Sequence, residues 1–280
     1  MKSHLNKNNN GINNAIRFFK NNNVYHLHNS YHLGDNIFNC IIFYNIKSYI
    51  ETNNIKIFYY APKKFLNQIN EFMCSPNITL LSLTEKPNNS IELWVNDGFF
   101  NYKHCDQKQP VIFNEYLKRF YNKVLDNLSI PVIINRFFYV DDDLLSRLDS
   151  LPNKYKMFDI LILNSQPFSK QYNYDKEEWD KHILQLHKTF KILTTSKVTN
   201  LLCTTDEELT VKDIAALSTK AKVVIAVNSG VVPGLLNYYT LTSVKHFFIF
   251  DKICIYSYPN FENKIKITDI TIDELNKYIE

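Results

Sequence analysis

A glycine followed at once by a carboxylate, Gly34-Asp35, stands between a polar and an apolar stretch in YHLGDNIFNCIIF. The chain holds only 5 glycines in 280 residues, against an average usage of about 7%, so the position calls for a reason. An aspartate at a strand-to-helix turn can take a proton from a bound hydroxyl, and Gly34 would let the chain turn tightly before it. The same place also suits a helix N-cap, where the helix dipole favours the charge and lowers the pKa of Asp35. His26, His28 and His32 lie just upstream. His26 and His28 share one strand face and are conceivable as a metal pair, with no third ligand evident beyond Asp35. His32 could hydrogen-bond to a substrate or to Asp35.

A second turn lies in VVIAVNSGVVPGLL, where Asn228, Ser229 and Gly230 separate an apolar run from a helical one. Small residues there let a backbone approach a ligand, and free amides at a helix start favour an anion such as a diphosphate. Pro233 is tolerated in a first helical turn. An ordinary capped turn would use the same residue types. In LILNSQPFSKQY, Asn164, Ser165, Gln166, Ser169 and Lys170 offer donors to a phosphate or a sugar. Asp97 and Gly98 in WVNDGFF combine a turn signal with a carboxylate that could touch an acceptor. Asp213 reads as half of a capping box, and Asp141 to Asp143 as a solvated helix start. No G-x-G-x-x-G, G-x-x-x-x-G-K-S/T or G-x-S-x-G motif occurs, so dinucleotide, P-loop and serine-hydrolase readings lack their usual warrant. No D-x-D strand end commits the chain to a metal.

The elements that must position these residues alternate. Apolar strands read at 23–30, 55–62, 78–83, 91–96, 158–164, 190–195, 200–205, 222–230 and 245–250. Helical spacing falls after residue 35 and over 63–75, 109–128, 175–190, 210–221, 231–240 and 271–280. Such alternation argues for parallel sheets, and all-apolar runs such as DILIL and VVIAV for strands buried on both faces. The expected fold class is α/β, with two Rossmann-like, doubly wound domains facing across a cleft. They would comprise residues 24–150 and 158–280, joined by a polar, proline-bearing segment and preceded by an Asn-rich extension over 1–23. In such sheets ligands bind outside the carboxyl ends of the strands.

Composition narrows the classes. The net charge of +4 is mild and its residues scattered, without the basic stripe of a nucleic-acid binder. The 5 cysteines form no C-x-x-C pair and read as buried free thiols of a reducing compartment. The first residues lack the apolar core of a signal peptide, and no run approaches the roughly 18 apolar residues of a transmembrane span. A soluble, cytoplasmic protein is expected.

At its two turns the sequence resembles the heptosyltransferase-like glycosyltransferases, family 9, of GT-B architecture. YHLGDNIFNCIIF is similar to the family's N-terminal Gly-Asp loop. LTVKDIAALSTKAKVVIAVNSGVVPGLL is similar to its second signature, a helix and an apolar strand ending in a (D/N)-(S/T)-G turn. The chain departs from the pattern in having no proline between 35 and 50 and no histidine after the second turn. The resemblance implies an inverting, metal-independent transfer of a sugar from a nucleotide-sugar to a glycan or other hydroxyl acceptor, with no cofactor beyond the donor substrate. Asp35 would be the catalytic base. Asn164, Ser165, Gln166, Lys170, Asn228, Ser229 and Gly230 would line the donor side, and His32, Gly34 and Asp97 the acceptor side. A sugar-nucleotide epimerase, or a binding protein that kept the fold and lost catalysis, would share the architecture.

Overall fold

The computed structural model describes residues 23–93, 111–168, 172–251, 254–258, 261, 265–267 and 275. Residues 1–22 of the N-terminal extension, Asp97, Gly98, Ser169, Lys170 and, Leu275 apart, the helix expected over 271–280 lie outside these. The chain divides into two compact units, one of residues 1–106 with 115–137, the other of 107–114 with 138–280.

In the first unit, β1 (Val24–His28) leads into α1 (Leu33–Thr52). β2 (Lys56–Ala61), α2 (Leu66–Asn70), β3 (Ile78–Ser82) and β4 (Ile91–Glu92) follow. All pairings are parallel, in the order β3-β2-β1-β4. The chain winds outward from β1 to β3, then returns to place β4 on the other side of β1, so the strand order reverses between β1 and β4. The helix expected over 63–75 is shortened to a single 3-10 turn at Lys63–Phe65 and the brief α2. α1 is buried from Asn36 to Phe43, and a helix wrapped by protein on all sides belongs to a core. Within that stretch Asn36 and Asn39 are wholly buried.

The second unit holds β5 (Val111–Ile112), α4 (Asp143–Ser150), β6 (Ile160–Leu163), α5 (Lys176–His187), β7 (Ile192–Thr194) and β8 (Leu202–Cys203). It continues with α6 (Val211–Ser218), β9 (Val223–Val227), α7 (Val232–Leu235), α8 (Tyr238–Ser243), β10 (His246–Phe250), β11 (Cys254–Ile255) and β12 (Ile265–Ile267). α3 (Phe113–Asn127) follows β5 directly in the chain. The main sheet runs β12-β10-β9-β6-β7-β8, all parallel. Counted from β6, that is the 3-2-1-4-5-6 order of a doubly wound dinucleotide-type sheet. β6 and β9 carry no exposed residue, as expected for strands covered on both faces. Trp179 of α5 packs edge-on against Phe250 with ring centroids 5.2 Å apart, in a core shared with Ile160, Ile225 and Phe248.

Two expectations change here. The helix over 231–240 is two short ones, because Asn237 turns out of α7 and caps α8, its Oδ1 accepting from Thr240 N at 2.8 Å. The acidic run before α4 is not wholly solvated. Asp141 is buried and pairs with the equally buried Lys212 of α6 at 2.5 Å, while Asp142 and Asp143 are exposed. Asp213 completes the capping box with Thr210 as read, and also takes Arg147 of α4 at 2.6 Å. Cys40 and Cys203 are buried and Cys74 is half-buried, and none of the three is in a disulfide.

Candidate functional site

Both candidate turns fall where strand order reverses. In the first unit β1 and β4 are neighbours, with His28 opposite Glu92, so the loop bearing Asp35 leaves the sheet beside the end of β4. Asn29 fixes that exit. Its amide donates to Tyr60 O at 3.0 Å, its Nδ2 to Leu93 O at 2.8 Å, and its Oδ1 accepts from Tyr31 N at 2.9 Å.

His32, with extended backbone at φ −80° and ψ 169°, is the N-cap of α1. Asp35 is not the cap. It sits in the first turn and reaches back, its Oδ2 accepting from His32 N at 3.1 Å. Gly34 lies inside α1 and is buried, so it serves close packing of the first turn; the turn itself is made by residues 29–32. The electrostatic expectation also reverses. Burial raises the Asp35 pKa and outweighs the His32 amide and the other lowering contacts. A carboxylate that binds its proton more tightly is a better general base.

His26 and His28 are committed elsewhere. The His26 ring lies 2.8 Å from Tyr60 Oη and stacks on Phe58, and His28 Nδ1 is 3.0 Å from Ser90 Oγ. Burial lowers the pKa of both. Among the described residues no three His, Cys, Asp or Glu side chains come together as metal ligands.

In the second unit β6 and β9 are neighbours, Leu163 opposite Ala226. The loop from Asn164 and the turn Asn228 to Gly230 therefore leave the sheet side by side, at its order reversal. This is where doubly wound sheets take their ligands. Asn164 is wholly buried and its side chain is spent within the fold. Its Oδ1 accepts from Thr195 N at 3.2 Å and Ser196 N at 2.8 Å, and its Nδ2 donates to Ser196 O at 3.1 Å. It thus ties the end of β6 to the segment after β7. Ser165 beyond it is half-buried and Gln166 exposed.

Asn228 is buried too. Its amide donates to Phe250 O at 3.0 Å, its Nδ2 to the Asp251 carboxylate, and its Oδ1 accepts from Tyr256 Oη at 3.4 Å. Ser229 differs: its Oγ is buried and makes no hydrogen bond among the described residues. The amides of Ser229, Gly230 and Val231 likewise donate to none of the described residues. A buried hydroxyl left unsatisfied costs about 1–3 kcal/mol, and native folds keep such groups rare. Ser229 and the amides beside it form a set of hydrogen-bond donors that no described residue takes up.

Sequence reading missed Asp251 and Tyr256, which orient Asn228. Asp251 had a signal, since it directly ends the KHFFIF strand as Asn228 ends VVIAV. It also missed the buried Asn36 and Asn39, whose i, i+3 spacing inside NIFNCIIF puts two amides on one side of an otherwise apolar helix.

No family model matches the sequence, and no curated protein does. Solved structures do match. E. coli heptosyltransferase WaaC with ADP-2-deoxy-2-fluoro heptose aligns over 91% of this chain and 98% of its own, with a TM-score of 0.56 at 9% identity. The same enzyme with ADP aligns over 91% and 96%, with a TM-score of 0.53 at 10% identity. The chain has the heptosyltransferase fold. A glycosyl transferase family 9 protein of Veillonella parvula aligns over 91% and 90%, at a TM-score of 0.49 and 11% identity. At these identities the likeness concerns the path of the chain, and the chemistry must come from the residues. Among the described residues no helix is long and apolar enough to cross a membrane.

Proposed function

We propose that the protein is a glycosyltransferase that moves a sugar from a nucleotide-sugar to a hydroxyl acceptor. The observation that carries this reading is the donor set at the reversal of the second sheet that is unspent among the described residues: Ser229 Oγ and the amides of Ser229, Gly230 and Val231. α7 has only 4 residues, so its macrodipole adds little, and these individual donors would hold the diphosphate. Asn228, clamped by Asp251 and Tyr256, would keep the turn in shape. Asn164 would do the same for the neighbouring loop, from which Ser165, Gln166 and, outside the described residues, Lys170 would reach the donor.

Asp35 would accept the proton of the acceptor hydroxyl as its oxygen attacks the anomeric carbon. The bond from that carbon to the diphosphate oxygen breaks, and the leaving charge falls on the nucleoside diphosphate, where the free donors would stabilise it. Attack in line with that bond inverts the anomeric configuration. His32, Gly34 and, again outside the described residues, Asp97 would border the acceptor. The reading assigns no metal and no further cofactor, and places the protein in the cytoplasm, where nucleotide-sugars are made. WaaC was captured with an ADP-heptose analogue, which makes ADP-heptose the first donor to try.

Titration calorimetry of ADP-heptose and a panel of other nucleotide-sugars tests the donor half. Binding of at least one is expected. It should weaken by at least about tenfold in Gly230→Val, whose branched Cβ would hold a phosphate away from the backbone. Failure of every nucleotide-sugar to bind would remove the donor site.

A further inference from the structure

We propose that a buried chain of hydrogen bonds, Asn36–Tyr59–Asn39–Tyr121, is the positioning device for Asp35. The inference rests on the reading of Asp35 as the base, and its geometry lies wholly within the first unit. The bonds run in one consistent direction. Tyr121 Oη donates to Asn39 Oδ1. Asn39 Nδ2 donates to Tyr59 Oη at 2.8 Å, and Tyr59 Oη to Asn36 Oδ1 at 2.7 Å. Asn36 Nδ2 donates to His32 O at 2.8 Å, and His32 N to Asp35 Oδ2. The chain of contacts ends on the carboxylate itself.

Asn39 Nδ2 also lies 3.3 Å from Leu93 O, the carbonyl already held by Asn29. The network therefore fastens the first turn of α1 to the end of β4, across the place where the strand order reverses. None of the four side chains is more than 1% exposed. Apolar residues of similar size would fill the same space with no polar group to satisfy, so stability alone does not call for them. A fully satisfied buried network does what packing cannot: it fixes one orientation of each member. Here the orientation fixed is that of the His32–Leu33 peptide, whose carbonyl Asn36 holds, and with it the N-cap residue whose own amide bonds Asp35. Burial pushes both phenols far above their usual range, and the Asp35 charge adds to the rise. Both therefore stay protonated and keep donating.

Tyr59→Phe keeps the ring that packs edge-on against Phe43 and removes only the hydroxyl that links the two asparagines. The control is Tyr25→Phe, which deletes another buried phenol of the same unit, bonded to Leu128 O at 3.0 Å and outside the network. In the full-length protein, the Asp35 carboxyl titration is followed by carbon NMR, and exchange of the His32 amide is followed beside it. Tyr59→Phe should let Asp35 turn toward water, moving its midpoint down toward the ordinary carboxylate value, and speed His32 exchange by about tenfold or more. Sugar transfer should lose roughly 10- to 100-fold in kcat with KM for the nucleotide-sugar unchanged. Tyr25→Phe should change none of these. An unmoved Asp35 midpoint and unmoved exchange in Tyr59→Phe, or equal changes in both variants, overturn the proposal. If Tyr59→Phe does not fold, Tyr121→Phe carries the same expectations. NMR changes as stated, in a wild-type protein that transfers no sugar, would uphold the positioning role and defeat the glycosyltransferase reading.

Discussion

Asp35→Asn is expected to cut sugar transfer by about 10²–10⁴-fold, the usual contribution of a general base, while leaving nucleotide-sugar binding unchanged. It should do so without loss of stability. Asp35 is raised above its ordinary pKa by burial, so folding disfavours its ionised form. The stabilisation linked to its proton is complete below the unfolded pKa and is lost as pH rises through the folded value. Above the folded value the carboxylate is ionised in both states, and the folded state carries the cost. Asparagine removes that cost, yet its carbonyl can still accept from His32 N. Thermal unfolding at pH 7 should therefore give a Tm equal to or above that of the parent. A variant that transfers at the parental rate, or one that unfolds several degrees lower, would show that Asp35 serves the fold instead of the reaction.

Lys212→Met is expected to have the largest effect on stability. Lys212 and Asp141 are 2.5 Å apart, with side chains only 8% and 7% exposed, and they join α6 to the residues just before α4. Removing the cation leaves the Asp141 carboxylate buried without its counter-charge, at a cost of about 3–5 kcal/mol. At about 2–4 °C per kcal/mol for a chain of this size class, Tm should fall on the order of 10 °C. The double variant Lys212→Met/Asp141→Leu should recover much of that loss, because two apolar side chains leave no charge behind. Equal instability of single and double variants would show that the pair's geometry, and not its charge, is what the second unit needs.

Much of the architecture was legible because its strands are apolar on both faces. DILIL and VVIAV could be placed as buried parallel strands from composition alone, and the alternation gave a doubly wound order. The second turn was legible too, since Asn228 to Gly230 interrupt an apolar run; the first was read too late in the chain, because Gly34 and Asp35 already lie inside α1. The sign of the Asp35 shift was not. Helix-start chemistry is local and argues for a lowered pKa, whereas the burial that raises it comes from residues far along the chain. Asp141 misled in the same way: three consecutive acids read as a solvated run, and the cation that draws one of them inside is 71 positions further on. The break in the 231–240 helix was in principle readable, because Asn237 is a favoured N-cap set three residues before the end of that expected helix. The Asn36 to Tyr121 network was out of reach, because its hydrogen bonds link α1 to β2 and to α3, and no local pattern announces them.

The pH dependence of kcat/KM for sugar transfer by the wild-type protein tests the role of Asp35 most directly. A base with a raised pKa predicts an acid limb: activity falls as pH drops, with a midpoint above the ordinary aspartate value of about 3.9. That limb should be absent from the residual activity of Asp35→Asn. Transfer that stays level through that range, or an acid limb that survives unchanged in Asp35→Asn, would contradict it.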